Sequence, residues 1–298
     1  MMELTDKEKK IKIDSDYLEI INEKENENKN KFGDWINNID KLREEFLSGK
    51  PFENVVIDNF LEESYAEKLY ELFPNNNYDN WYKYENPIEV KYAFDNIEEL
   101  PEELKNYFYY LSSDSIKQKI AEITNIPDLE YDEYLHGAGL HSHPRYGRLN
   151  IHLDYEKHPY NGKERRINII YFLTKDWNTS WNGANELWGN CKSENCIKKT
   201  QVKFNRAIIF KTNDDSWHGL PEKIMCPENV FRKSLAYYYV SPLNTQKKEE
   251  DYRKKAKFVK RPEELFSKNM EELYEIRRNR RITGNDLQLL FPEWRKED

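Results

Sequence analysis

His152 and Asp154, one residue apart, stand upstream of His218 and Arg232, and these residue types in this order suit one kind of chemistry. Two imidazoles and a carboxylate can occupy one face of an octahedral iron(II) ion and leave three positions for a co-substrate and oxygen. Arg232 offers a planar fork for the far carboxylate of such a co-substrate, and the Ser234 hydroxyl adds a donor. An HxD triplet alone is weak evidence, because a strand histidine satisfied by hydrogen bonds accounts equally well for His152. The setting gives the triplet its weight. In RLNIHLDY, residues i and i+2 of a strand share a face, so His152 and Asp154 project together while Ile151, Leu153 and Tyr155 face the other way. His218 comes far enough downstream to return on a neighbouring strand. In RKSLAYYYV, Arg232, Ser234 and Ala236 share one face and Lys233 takes the other.

The elements that must position these residues are short. Between about 129 and 241 the chain reads as strand-like runs separated by turn residues: LEYDEYL, RLNIHLDY, RRINIIYFLT, ANELWG, TQVKF, RAIIFKT, DSWHGL and RKSLAYYYV. With no helical periodicity between them, they predict an antiparallel double-stranded β-helix, or jelly roll, in a mainly β fold with flanking helices (α+β). Val55 to Ile57 form a further strand. Helices are expected through LEESYAEKLYELF, capped by Asp58 or Asn59, and from Pro101 to about Thr124. Residues 1–50 read as a charged, partly helical extension whose removal (1–45) is expected to spare turnover. Residues 51–242 form the catalytic domain, and 243–298 a charged helical extension in a bracing role. Its helices are expected from Pro262 to about Arg278 and from Asp286 to Leu290.

Composition narrows the classes of function. The chain is 34% charged with a formal net charge of −8, which disfavours a nucleic-acid backbone as partner. The one dense basic stretch, Arg277, Arg278, Arg280 and Arg281, reads as a solvated helix end. At 14% aromatic, with 7 Trp and 21 Tyr, the sequence is that of a folded protein. Cys191, Cys196 and Cys226 form no zinc-type spacing and no disulfide framework. No signal peptide and no apolar run long enough to span a membrane is visible, so a cytoplasmic location is expected.

Rival readings attach to neighbouring residues. His141 and His143 form an HxH pair of the kind a cupin-like metal-binding module without turnover would use, and that module would lose its metal on replacing them rather than His152. Pro144 and the glycines at 137, 139 and 147 make the pair read as a loop, either on the surface or at the substrate entrance. Glu156 and His158 are candidates for supporting the metal ligands, although Pro159 makes an exposed His158 the simpler expectation. Trp177, Trp181, Trp188 and Trp217 read as core or pocket wall, with a stacking platform for a sugar or aromatic substrate as the sharper alternative. The polar and aromatic segment NNNYDNWYKYENPIEVKY, from Asn75 to Tyr92, reads as a loop over a site or as a surface connection.

Taken jointly, LNIHLDYEKHP, RRINIIYFLTKDWNTSWNGANELW, FNRAIIFKTNDDSWHGLP and RKSLAYYYVSP resemble the iron(II) and 2-oxoglutarate dependent oxygenases, in particular the prolyl 4-hydroxylase-like branch. One departure is that Gly183-Ala184 stands where the family carries two glycines. The resemblance implies His152, Asp154 and His218 as iron ligands, Arg232 as the anchor for 2-oxoglutarate and Ser234 as its helper. A tyrosine that relatives often carry on the inward face of RRINIIYFL is here Phe172, which leaves Asn168 or Tyr134 to supply the hydrogen bond. The implied cofactors are Fe(II), 2-oxoglutarate and O2, with ascorbate as an optional addition. The implied reaction is hydroxylation of a C–H bond coupled to decarboxylation of 2-oxoglutarate to succinate. The substrate expected first is a peptidyl residue such as proline, with a small molecule or glycan as the alternative.

Overall fold

The computed structural model describes residues 17–25, 31–190, 196–261 and 264–297. Twelve strands form one antiparallel hydrogen-bonded sheet that curls into a nearly closed jelly-roll barrel. They are β1 (Asn54–Asp58), β2 (Tyr82–Glu85), β3 (Glu89–Phe94), β4 (Gly139–His143), β5 (Arg148–Leu153), β6 (Glu164–Phe172), β7 (Asn185–Trp188), β8 (Cys196–Thr200), β9 (Arg206–Lys211), β10 (Trp217–Leu220), β11 (Arg232–Ser241) and β12 (Lys257–Phe258). The path runs β1-β9-β6-β11-β4-β3-β5-β10-β7-β8, with β12 added to β5 and β2 to β3.

Strand β11 shows why the barrel needs helices outside it. It is buried on both faces: Arg232, Ser234, Ala236 and Tyr238 turn inward, while Leu235, Tyr237 and Tyr239 meet the helical layer. That layer consists of a helix over residues 17–25 (α1), α2 (Ile39–Ser48), α3 (Glu63–Leu72), α4 (Glu102–Ser112) and α5 (Asp114–Thr124). The Tyr237 hydroxyl lies 2.8 Å from Ser112 Oγ and accepts from the Asp132 amide, so the buried phenol is satisfied on two sides.

Several expectations need correction. The single helix from Pro101 to Thr124 is two, because the chain turns extended at Ser113 and the Ser112 and Ser113 hydroxyls donate back to the Phe108 and Tyr110 carbonyls. The N-cap of α3 is Glu62, not Asp58 or Asn59. LEYDEYL is no strand: Asp132 Oδ1 accepts from the Tyr134 amide, Leu135 adopts φ 48°, and only Glu130 bridges to Val240. TQVKF is replaced by the earlier β8. The segment read as a loop over a site holds the hairpin β2–β3, whose turn is closed by Asn86 Oδ1 accepting from the Ile88 and Glu89 amides. HGAGLHSHP contains β4, paired with β11 and β3.

Both charged ends of the chain are tied to the barrel. Phe32, Trp35, Leu42 and Phe46 belong to the main core; Trp35 stacks on Phe60 with ring centres 5.3 Å apart and donates its indole N–H to the Phe60 carbonyl. At the other end, α6 (Lys268–Asn279) and α7 (Gly284–Leu290) pack with Phe258 and Ile88, and Tyr274 on α6 accepts from Asn150 Nδ2 at 2.8 Å. Among the described residues no helix is long and apolar enough to cross a membrane. Cys196 and Cys226 are free, and Cys191 lies outside the described residues. Trp35→Ala is expected to destabilise the fold by about 3–5 kcal/mol in urea unfolding, and deletion of residues 1–45 to abolish a cooperative transition altogether.

Candidate metal and co-substrate site

Three of the four residues singled out in the sequence meet on adjoining strands. Strands β5 and β10 pair antiparallel with His218 directly opposite His152, and Asp154 follows the last residue of β5. The rings of His152 and His218 lie 4.4 Å apart, and each Nε2 is 3.6 Å from one oxygen of Asp154. All three are buried, with one ligand atom from each within 4.8 Å of the others.

Backbone carbonyls set the tautomer of both histidines. His152 Nδ1 is 2.9 Å from the Asn150 carbonyl and His218 Nδ1 is 2.8 Å from the Ser216 carbonyl. A carbonyl only accepts, so both Nδ1 atoms carry the proton and both Nε2 lone pairs turn toward Asp154, as metal ligands require. Burial pushes His218 down to about 4 against the pull of Asp154. Burial acts to raise Asp154, yet His218, His152 and Arg165 outweigh it and hold the carboxyl well below the usual range. Two donors orient that carboxylate: the Tyr238 hydroxyl at 3.0 Å and Asn168 Nδ2 at 3.2 Å, both on Oδ2. Arg165 lies between the rings of Tyr155 and Tyr238, its guanidinium carbon 3.6 Å from each centre.

Beside the triad is an inner chamber of about 80 Å³, lined among others by His143, Asn168, Asn185, Arg232 and Ser234. Arg232 is 2% exposed. Its Nε donates to the Gly183 carbonyl at 2.7 Å, its Nη1 to Ser234 Oγ at 3.3 Å, and its guanidinium packs over the Phe172 ring. Among the described residues no carboxylate pairs with it, and burial pulls it down to about 9. The chamber also contains buried polar atoms without partners: both ring nitrogens of His143, both amide atoms of Asn185, and Asn168 Oδ1. A buried cation and a set of unmatched donors and acceptors fit a small, anionic, polar guest next to the triad. Gly183, at φ 84°, lets its carbonyl reach Arg232; a Cβ there would stand 3.3 Å from Arg232 Cδ and 3.1 Å from Trp177.

A second, outer chamber of about 250 Å³ meets the first at Lys91, His141, His152, Asp154 and Tyr238. Its further walls include Tyr82, Tyr84, Phe258 and Arg277. Phe258 on β12 stacks on His152 at 5.0 Å.

Other sequence readings change accordingly. Tyr134 does not line the inner chamber and packs instead against His158 and Tyr160. His141 and His143 face the chamber from β4, opposite Ser234 and Arg232, and burial keeps both well below the usual histidine range. They lie outside the residue group that could hold a metal ion. His158 is fully buried with Nε2 3.2 Å from Asp132, while Glu156 accepts from Lys247 and Arg253. None of Trp177, Trp181, Trp188 and Trp217 lines either chamber, so the sugar platform has no support. Arg277 is no solvated helix end: it pairs with Glu89 at 2.8 Å and lines the outer chamber together with Arg280 and Arg281. Sequence reasoning missed Tyr238, Asn185, Arg165 and Lys91. Tyr238 shares a strand face with Arg232, Ser234 and Ala236, so parity along β11 carried a signal for it.

Residues 138–240 match the 2OG-Fe(II) oxygenase superfamily. That stretch is about a third of the chain and carries the triad and Arg232. The family matched there is one of 2-oxoglutarate-dependent dioxygenases, which use Fe(II), 2-oxoglutarate and O2. A search of curated proteins finds no match. Similar solved structures include a prolyl hydroxylase in complex with a hypoxia-inducible-factor oxygen degradation domain peptide from Trichoplax adhaerens, at 16% identity and TM-score 0.49, covering 70% of this chain and 94% of that one. A Pseudomonas putida prolyl-4-hydroxylase matches at 12% identity and TM-score 0.49, over 67% and 98% of the two chains. A prolyl 4-hydroxylase from Phytophthora capsici matches at 18% identity and TM-score 0.46, over 80% and 75%.

The Tyr238 hydroxyl holds a carboxylate oxygen of the triad, so Tyr238→Phe is expected to weaken divalent metal binding by roughly 10-fold to 100-fold. A Co(II) titration followed by visible absorption measures this, and an unchanged affinity would remove the orienting role of the phenol. Gly183→Ala is expected to raise the 2-oxoglutarate requirement while leaving Co(II) affinity near wild type, because the added methyl presses on Arg232 rather than on the triad.

Proposed function

We propose that His152, Asp154 and His218 hold the iron(II), that Arg232 and Ser234 anchor the distal carboxylate of 2-oxoglutarate, and that the chain hydroxylates a C–H bond of an external substrate. The observation that carries this reading is the buried Arg232, without a carboxylate partner among the described residues, on the same chamber as a two-histidine, one-carboxylate cluster. When bound, the metal, 2-oxoglutarate and O2 would supply the oxidising chemistry, one oxygen atom going to succinate as carbon dioxide leaves and the other to the substrate. The protein's residues do the rest. Asn150 and Ser216 fix the imidazole protons at Nδ1, Tyr238 and Asn168 orient Asp154, and Gly183 and Phe172 aim the guanidinium. Asn168 thus supports Asp154 through its Nδ2 and keeps an unmatched Oδ1 that can accept a further hydrogen bond. His143 and Asn185 complete the polar lining.

The substrate enters from the outer chamber, which is several times roomier than the inner one and reaches Asp154 and His152 directly. The resemblance of the metal-strand and arginine-strand motifs to prolyl hydroxylases makes a peptidyl residue such as proline the first candidate for oxidation. A free small molecule is the second.

The test is succinate formation by the full chain with Fe(II), 2-oxoglutarate and O2, with and without a peptide library. His152→Ala is expected to abolish it, and His143→Ala to leave metal binding intact; the opposite pattern would favour a cupin-like metal site. Arg232→Ala is expected to raise KM for 2-oxoglutarate by roughly 30-fold or more, as for loss of a buried charge pair of about 2 kcal/mol, with Co(II) binding retained. A 2-oxoglutarate affinity insensitive to this change would refute the anchor.

A further inference from the structure

The outer chamber is positively charged in a chain whose formal net charge is −8. Most of its charges have partners. Arg277 pairs with Glu89, Arg280 with both oxygens of Asp286, and Arg165 stacks on two tyrosines and faces Asp154. Four further cations line the walls: Lys91, which shares the field of Glu89 and Asp154 without pairing with either, Arg281, which feels Asp95, and Lys254 and Lys255. Lys91 stands on β3 where the two chambers join, next to the triad. Among the described residues no hydrogen bond or ion pair engages its ammonium, which rests 5.1 Å from the centre of the Tyr84 ring. Arg281 lies over the neighbouring Tyr82 ring at 4.4 Å. Lys91 on β3 and Arg281, from the connection between α6 and α7, thus rest against the two phenol rings of β2 on the chamber wall, which Lys254 and Lys255 also line.

Such an arrangement has a physical cost without a guest. Like charges are gathered around a partly desolvated chamber, and burial pulls Lys91 below the usual lysine range. An incoming anion relieves both effects, and low-dielectric walls strengthen its attraction to the site. We propose that the outer chamber binds the substrate through an anionic group held by Lys91 and Arg281, which sets the C–H bond to be oxidised beside the triad. This deepens the oxygenase reading and rests on it only for the chemistry that follows binding.

The experiment is fluorescence anisotropy of a labelled hexaglutamate peptide, with hexaglutamine of the same length as control, on the full chain at low salt. It is run without metal and again with saturating Mn(II) and 2-oxoglutarate, which occupies Arg232. Hexaglutamate is expected to bind at least tenfold more tightly than hexaglutamine, with an affinity that falls steeply as salt is raised. Lys91→Met with Arg281→Gln should remove most of that preference, Lys91→Arg should retain it, and Arg280→Gln, whose charge Asp286 already engages, should change it less than threefold. Arg281→Gln alone, at an exposed position, provides a variant that folds if the double variant does not, with an expected loss of at least threefold. Inorganic phosphate or N-acetylglutamate displacing the peptide at millimolar concentration assigns the site to a free small anion; failure to displace it assigns the site to an acidic peptide. Equal binding of the two peptides, or a preference that survives the Arg281→Gln and double variants, overturns the proposal. Co(II) titration of the same preparation keeps the two readings apart. Metal binding without peptide preference refutes only the anionic substrate, and peptide preference without metal binding refutes only the triad.

Discussion

The pairing of β5 with β10, which sets His152 opposite His218, is the constraint on which the rest of the site depends. A slip of one residue would turn one imidazole to the other face of its strand. The register is fixed at close quarters by Gly219, where a Cβ would come within 2.7 Å of the Leu149 carbonyl, so the two backbones approach only because that position has no side chain. On its other edge β5 is held by β3 at Leu149 and by β12 at His152. The strand that bears His152 and leads into Asp154 is therefore fastened to three others, as preorganisation of a metal site demands.

Much of this was legible in the sequence, and the reasons are local. Alternation along RLNIHLDY and RKSLAYYYV is a property of the strand backbone, so the faces of His152, Arg232 and Ser234 could be read without knowing any partner. Parity also foretold that Lys233 turns away, and its ammonium does lie over the Tyr70 ring on the outer side. The readings that failed depended on tertiary context. HGAGLHSHP has the glycines and proline of a loop, yet β4 forms because β11 and β3 offer hydrogen-bonding edges on both sides. LEYDEYL has strand composition, but its aspartate closes a turn. Tyr134, expected at the co-substrate, instead packs against His158 and Tyr160.

The charged ends misled for a related reason. Composition scores Lys and Glu as solvent-facing, whereas a few aromatic residues decide docking: Trp35 on Phe60 at one end, Phe258 on His152 and Tyr274 on Asn150 at the other. Arginine is deceptive in the same way. Arg277 lies in a run that looks like a solvated helix terminus, but its partner Glu89 is 1% exposed on β3, so the ion pair draws the helix against the chamber wall.

The short strand β12 has a consequence in time as well as space. The edge of β5 beside His152 is completed only by Lys257 and Phe258, about a hundred residues farther along the chain than the ligands they cover. During synthesis from the N-terminus, the triad and the arginine strand are all made before the segment that shields them. The ligand histidine then shows an open backbone edge and a bare ring face to whatever the nascent chain meets. The finished wall of the metal centre is thus put in place after the ligands, so maturation of the site is coupled to delivery of the segment that holds Lys257 and Phe258.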